Sequence, residues 1–350
     1  MKNKLLLVTF PVDLGSTSYA ERLINTFKDN VDLKVYCFMP QTQEHRPKTS
    51  ILKYASIIGK RLLGSYELQK EVWQARSEGR KILFQGITPA LFAYPAISPG
   101  SSYIVTDWTK KLYEPILGQV MSSAWQTFIH QRVINSQKYV FCLTDAVLAE
   151  IAKDYQMPLN KLKKARVPFS HDLNLFIPSP DRLDEEVRIL FVGSRFYYKR
   201  GHLLVSWFNN QCSSNIKLTI LTKDFLKNFP NITIENSIEY GDEKHIQIFK
   251  NHDIFVLPTK CDAYPSVLGE AACAGLAILA TKTALGAPEI IQNGVNGYIC
   301  DSQEALFNQL TQLVKNKPLL ESMKINSREF MEHKFAFEPV LNDYLNCIFE

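Results

Sequence analysis

Short apolar blocks recur along the chain, and polar segments with helical spacing fill the intervals. Residues 4–10, 33–38, 82–85, 103–106 and 139–144 are mostly apolar, as strands buried on both faces are. Helices fit between them, the first near residues 19–28. A helix carrying Tyr155, then Pro158, then a last strand within 166–172 complete this series. Strands alternating with helices predict a doubly wound parallel sheet. A second series follows, with strands at 187–192, 217–222, 254–257 and 277–280 and helical patterns at 266–274, 302–315, 317–333 and 337–348. Between the two series lies Ile177-Pro178-Ser179-Pro180 and the charged run 181–186, the composition of a linker. The pattern therefore predicts an α/β protein of two domains, residues 1–178 and 187–334, with 335–350 as a closing helix.

Composition adds limits. The chain has 350 residues, 46% hydrophobic and 21% charged, the balance of a soluble globular protein. No apolar run approaches the roughly eighteen residues of a membrane span. The opening apolar run is broken by Asp13 and no small-residue cleavage site follows, so a first strand is expected there rather than a signal peptide. Seven scattered cysteines without a C-x-x-C pair read as reduced core residues of a cytoplasmic protein. The net charge of +5 is uneven. Residues 1–180 hold 23 Lys and Arg against 14 Asp and Glu, or +9, and the remainder carries −4. A basic first half faces something anionic. No aromatic-basic nucleic-acid motif accompanies it, so an anionic membrane surface or a lipid-linked acceptor is the expected partner and nucleic acid is not. Residues 51–76, with Lys53, Lys60, Arg61, Lys70 and Arg76 beside an apolar face, fit a helix lying on such a membrane or a plain solvated surface helix.

The chemistry concentrates in residues 253–297. Two apolar strands there enclose a polar loop and a helix starting after Pro265. In a parallel sheet such a loop lies at the carboxyl end of its strand, and the helix turns its positive end toward a bound anion. Asp262 and Glu270, with seven residues between them, bracket the loop. Carboxylates hold hydroxyls better than phosphates, because an ionised carboxyl offers only acceptors. The pairing points to a ligand that joins phosphate to sugar. A strand-end glycine, Gly193, followed by Ser194, Arg195 and Lys199, supplies a second place where a diphosphate can meet the backbone and cations.

These residues resemble the retaining glycosyltransferases of family 4. That family shows an acidic residue, seven others, Glu, a small-residue helix, Gly and a later Gly-x-x-Glu; here these are Asp262, Glu270, Gly275, Gly286 and Glu289, closed by Gly294 and Gly297. Lys199 falls on the family's lysine, though its glycine comes one residue late, at Gly201. Ser194 stands at the usual arginine with Arg195 one place on, Asp262 replaces the commoner Glu, and Leu285-Gly286 replaces a glycine pair. The resemblance is strong over 187–300 and architectural over the first half.

It implies a GT-B fold, two Rossmann-like doubly wound domains facing a central cleft, with the last helix crossing back to the first domain. It also implies transfer of a hexose from a UDP- or GDP-linked sugar to a glycan, lipid-linked or other hydroxyl acceptor, as in polysaccharide biosynthesis, with no cofactor and no metal. Lys199 and Arg195 then stabilise the departing diphosphate, Glu270 accepts from the ribose and Asp262 from the sugar. Gly193, Ser194, the backbone near Pro265, Ser266, Val267 and Leu268, and Glu289 then hold the donor. The end of the 217–222 strand, Tyr240, Gly241 and the helix running to Lys250 fit the base pocket. Gly15 and Asp107, at strand ends of the first half, are candidate cleft or acceptor residues, although Gly15 equally fits a tight turn and Asp107 equally fits the cap of the next helix. None of the seven histidines stands in a catalytic pattern. The protein is placed in the cytoplasm or against the inner membrane surface. A nucleotide-sugar epimerase, for which no acid-base set is found, and a non-catalytic nucleotide-sugar-binding subunit are the alternatives.

Overall fold

Nine strands at predicted blocks and three outside them pair into two six-stranded sheets, each parallel throughout its described length. The computed structural model describes residues 2–11, 14–39, 51–179, 186–211, 215–227 and 229–350. The chain divides into two units, 1–167 with 340–350, and 168–339.

Unit 1 runs β1 (Lys4–Thr9), α1 (Leu14–Phe27), β2 (Asp32–Cys37), α2 (Ile51–Ser77), β3 (Lys81–Gln85), α3 (Ile87–Ala93), β4 (Ser102–Thr106), α4 (Lys110–Leu117), α5 (Ala124–Asn135), β5 (Tyr139–Cys142), α6 (Asp145–Asp154) and β6 (Leu162–Lys164). Its sheet order is β2-β1-β3-β4-β5-β6. One sheet face is built from alternate residues, Leu6, Val8, Ile82, Phe84, Ile104 and Val140, packed with Leu68, Val72, Ala90, Val133 and Val147 of the helices. Each such side chain, fully buried, contributes about 1.5–3 kcal/mol. The order reverses between β1 and β3, and Gln85 ties the two loops there. It accepts from Phe10 N–H at 3.0 Å and donates to the Ser16 carbonyl at 2.8 Å.

Unit 2 contains α7 (Ser170–Leu175), β7 (Val187–Val192), α8 (Gly201–Asn209), β8 (Ile216–Leu221), β9 (Ile232–Glu235), α9 (Glu243–Lys250), β10 (Ile254–Leu257), α10 (Ser266–Cys273), β11 (Ala277–Thr281), α11 (Ala287–Ile290), β12 (Gly297–Cys300), α12 (Gln303–Leu313), α13 (Lys317–Lys334) and the start of α14 (Phe337–Phe349). Its order is β12-β11-β10-β7-β8-β9. Every residue of β10 and β11 is buried, as their unbroken apolar runs require.

One expected strand is displaced, and the two units are bounded differently from the expected domains. The strand expected within 166–172 is β6, earlier in the chain, and residues 170–175 are helical. The division falls between Val167 and Pro168, ahead of the proline-rich stretch, because Phe169 packs edge-on against Phe335 at 5.4 Å and Phe176 against Phe249 at 5.2 Å within unit 2. Most of the charged run 181–186 lies outside the described residues.

For the same reason Phe335 belongs to unit 2, and the chain rejoins unit 1 at Val340 rather than at 335. There Tyr344 is fully buried against Phe27 and Phe141, and its hydroxyl donates to the Arg166 carbonyl at 2.8 Å. The Arg166 guanidinium grips Asp343 through two bonds of 2.7 and 2.8 Å, and Tyr103 donates to the Ile348 carbonyl at 2.9 Å. Among the described residues no helix is long and apolar enough to cross a membrane.

Candidate functional site

In unit 2 the strand order turns back on itself between β7 and β10, and a doubly wound sheet binds its ligands at the carboxyl ends of the strands at that reversal. Two loops meet there. The first, after β7, is fixed by Asp224, which accepts from Phe196 N–H at 2.7 Å. Arg200 takes the left-handed conformation, φ 60° and ψ 30°, so the extra residue between Lys199 and Gly201 is absorbed in a turn before α8. A Cβ on Gly193 would stand 3.0 Å from Lys199 Cγ. The bare glycine thus lets the lysine stem fold back over the strand end. The second loop, after β10, is sewn to the segment after β11. Asp262 N–H donates to the Thr283 carbonyl at 2.9 Å, Leu285 N–H to the Asp262 carbonyl at 2.8 Å, and Thr283 Oγ1 to the Thr259 carbonyl at 2.7 Å.

Lys199 Nζ meets Asp262 Oδ2 across these loops. Both side chains are mostly buried, at 17% and 16% exposure, so water screens the pair only in part. Cys261 beside them is buried, which pushes its thiol up to about 11 and keeps it neutral. Four residues past Asp262, α10 begins at Ser266, and no side chain caps it. The first N–H groups of such a helix have no partner within the helix, and its dipole favours an anion there. Glu270 lies in the second turn, 4% exposed, with Ser266 Oγ 3.5 Å from Oε1.

The remaining expected residues are distributed as follows. Arg195 turns its guanidinium onto the Tyr198 ring, 4.3 Å from the centroid. Glu289 is engaged by Lys334, whose Nζ lies 3.7 Å from its carboxylate and donates to its carbonyl at 2.7 Å, a structural tie on α11. Gly15 is in the first turn of α1, which starts at Leu14, so the tight-turn alternative is corrected. Asp107 follows β4 and does not cap α4. Thr109 does, accepting from Leu112 N–H at 3.2 Å. Arg76 is held at the Ala96 carbonyl and Ser98 Oγ at 2.8 and 2.6 Å, and the side chains of Lys53, Lys60 and Arg61 lie outside the described residues.

Sequence reasoning missed His245. It sits on α9, 4% exposed, with Nε2 3.8 Å from Glu270 Oε2. Its four-residue spacing to the buried Phe249 was the available signal, since i and i+4 share a helix face.

Unit 1 has a pocket of about 520 Å³ between α4 and α6, lined by Lys111, Glu114, Glu150, Lys153 and Asp154 among others. Glu150 is buried there, accepting from Thr109 Oγ1 at 2.5 Å. Burial pushes its carboxyl up to about 7, against the Thr109 bond, which lowers it. A raised folded-state value means this group favours the fold while protonated. The contribution is complete below the ordinary carboxyl value and fades as pH climbs through about 7. Relative to Glu150→Gln, the wild type is expected to lose on the order of 2 kcal/mol between pH 4.5 and 8. Urea midpoints of both proteins across that range measure it, and parallel curves would contradict it.

Residues 176–330 match the family described as Glycosyl transferases group 1. Unit 2 carries a glycosyltransferase domain. The group 1 domain extends over nearly all of the segment that holds Lys199, Asp262 and Glu270. The capsular polysaccharide biosynthesis glycosyltransferase CapM of Staphylococcus aureus is 25% identical over 178 residues, 45% of this chain and 44% of that protein. The chain spans about half the length of the curated relatives it matches.

Sucrose-phosphate synthase from Thermosynechococcus elongatus superposes with a TM-score of 0.74 at 12% identity, covering 97% of this chain and 96% of that one. Anabaena HepE, solved in complex with UDP-glucose, superposes at 0.70 with 13% identity and 97% of each chain. Around its group 1 domain the chain therefore has the GT-B arrangement of two Rossmann-like domains.

Proposed function

We propose that the chain is a retaining glycosyltransferase of family 4, taking a hexose from a UDP- or GDP-linked donor to a hydroxyl of a glycan or lipid-linked acceptor. The observation that carries this reading is the meeting of Lys199 and Asp262 at the sheet's reversal point, beside the uncapped start of α10. The donor's diphosphate takes Lys199 as its counter-ion, and the freed Asp262 accepts from the sugar hydroxyls. Glu270 accepts from the ribose, and the N–H groups of Ser266 and Val267 face the phosphate and sugar. Arg195 adds a second cation from its place on Tyr198. As the bond from the anomeric carbon to the diphosphate breaks, the electron pair stays on the diphosphate oxygen, where these preorganised charges stabilise it. The new bond forms to the acceptor oxygen, whose proton passes to the departing diphosphate oxygen. The reading calls on no metal, because the lysine, the arginine and the helix terminus supply the positive charge. HepE's complex with UDP-glucose supports a nucleotide-sugar donor for this fold.

Unit 1 is assigned to the acceptor, at the cytoplasmic face of an anionic membrane. Its positive surplus supports this, together with exposed Tyr66 and Trp73 on the same stretch of α2 as Lys70. The test is nucleotide release from UDP- and GDP-sugars, with the product's anomeric configuration read by NMR and a parallel sedimentation with phosphatidylglycerol vesicles. Release with retention from one donor class is expected, with protein in the vesicle pellet. Inversion would remove the family 4 assignment, and binding without release would make the chain a donor-binding subunit. Protein left in the supernatant would remove the membrane.

A further inference from the structure

Behind Glu270 runs a string of polar contacts that the reading above does not use. At one end Asp172 on α7, fully buried, accepts from the Tyr240 hydroxyl at 2.9 Å. The next residue, Gly241, has φ 83° and points its N–H at His245 Nδ1, 3.5 Å away. The opposite nitrogen, Nε2, lies 3.8 Å from Glu270 Oε2. The imidazole is fixed in its plane by three rings, Phe249 at 4.9 Å, Phe176 at 5.6 Å and Tyr240 at 5.7 Å.

Two physical points follow. A neutral imidazole that accepts at Nδ1 carries its proton on Nε2, and here that nitrogen is the one aimed at the carboxylate. The polar oxygens of a side chain as buried as Glu270 need donors facing them. We infer that His245 is a positioning residue for nucleotide recognition: its Nε2–H faces Oε2 of Glu270 across 3.8 Å, beyond a direct hydrogen bond but close enough to attract it, and so orients the carboxylate toward the ribose hydroxyls of a nucleoside diphosphate. Asp172, Tyr240 and Gly241 hold the imidazole in turn. Because Tyr240 and Gly241 belong to the segment between β9 and α9, the loop and the ribose contact are joined through one ring.

The inference rests on the reading that Glu270 binds ribose, and the variants separate the two. His245→Phe keeps an aromatic ring among its neighbours and removes both nitrogens, while His245→Gln restores a donor. Affinities for UDP and GDP are measured by calorimetry, alongside their 2′,3′-dideoxy forms. The Phe variant is expected to bind the better nucleotide about tenfold more weakly and the dideoxy form as wild type does, with Gln recovering part of the loss. With Glu270→Gln already present, adding His245→Phe should cost no further affinity, since both act through one contact. In turnover the donor KM should rise more than kcat falls. If the Phe variant does not fold, His245→Leu takes its place with the same outcomes. Wild-type affinity in the Phe variant, or an equal loss for the dideoxy nucleotide, overturns the role of His245 while Glu270→Gln still weakens binding. Unchanged binding in Glu270→Gln overturns the ribose reading itself.

Discussion

Lys199→Ala is expected to lower sugar transfer about 10²- to 10³-fold, the range seen when one preorganised partner of a developing anion is removed. Lys199 pairs with Asp262, and both side chains are largely shielded from water. The alanine variant therefore does two things at once. It takes a cation from the leaving diphosphate, and it leaves Asp262 without its counter-charge, which costs stability. The double variant Lys199→Ala, Asp262→Asn separates these effects. If the lysine acts on the diphosphate, the double variant regains melting temperature and stays slow. Lys199→Arg should retain more turnover than Ala, though not all, because the guanidinium is longer and planar where Gly193 admits a narrow stem. Wild-type kcat/KM in Lys199→Ala would remove the lysine from the reaction.

Gly297→Ala should produce the largest loss of stability. Gly297 pairs with Ile278 between β11 and β12, and a Cβ there would stand 1.9 Å from the Ile278 carbonyl oxygen. No side-chain rotation relieves a clash with backbone, so β12 must move off β11. A cost of about 3 kcal/mol or more is expected, at the upper end of overpacking penalties. For a unit of this size that is a fall of about 6–12 °C in melting temperature. The segment after β11 carries Thr283 and Leu285, which hold the Asp262 backbone. Loosened pairing therefore reaches the site, and nucleotide affinity should drop with stability. A variant that melts with the wild type would show that the strands separate freely at this point.

Much of this architecture could be read from the residues because the strands are buried on both faces. Val187–Val192 and Ile254–Leu257 were expected with the bounds they have, since an uninterrupted apolar run closed by a glycine or proline leaves little choice. β6 was not legible as placed: Leu-Lys-Lys is short and carries two cations, and its strand character comes from pairing with β5. The start of α1 was put five residues late because Gly15 and the hydroxyl residues after it resemble turn chemistry. At the site, Lys199 and Asp262 were found through spacing, and their mutual contact through the sheet order, which brings strands β7 and β10 side by side. His245 escaped because its partner Glu270 is distant along the chain and no short motif links them. Asp107 was read as either a cleft residue or the cap of α4, and the cap is Thr109, two positions nearer the helix.

The return of residues 340–350 has a consequence for how the protein is made. Phe27, Tyr103 and Phe141 lie in the first unit, yet the Tyr344 ring, the Asp343 carboxylate and the Ile348 carbonyl that complete their surroundings are translated only after the whole of 168–339. On the ribosome the first unit therefore waits with an apolar slot open while the second emerges and folds. A nascent chain stalled before Val340 presents that slot to chaperones, and proteolysis of such chains should release unit 2 intact while unit 1 is degraded.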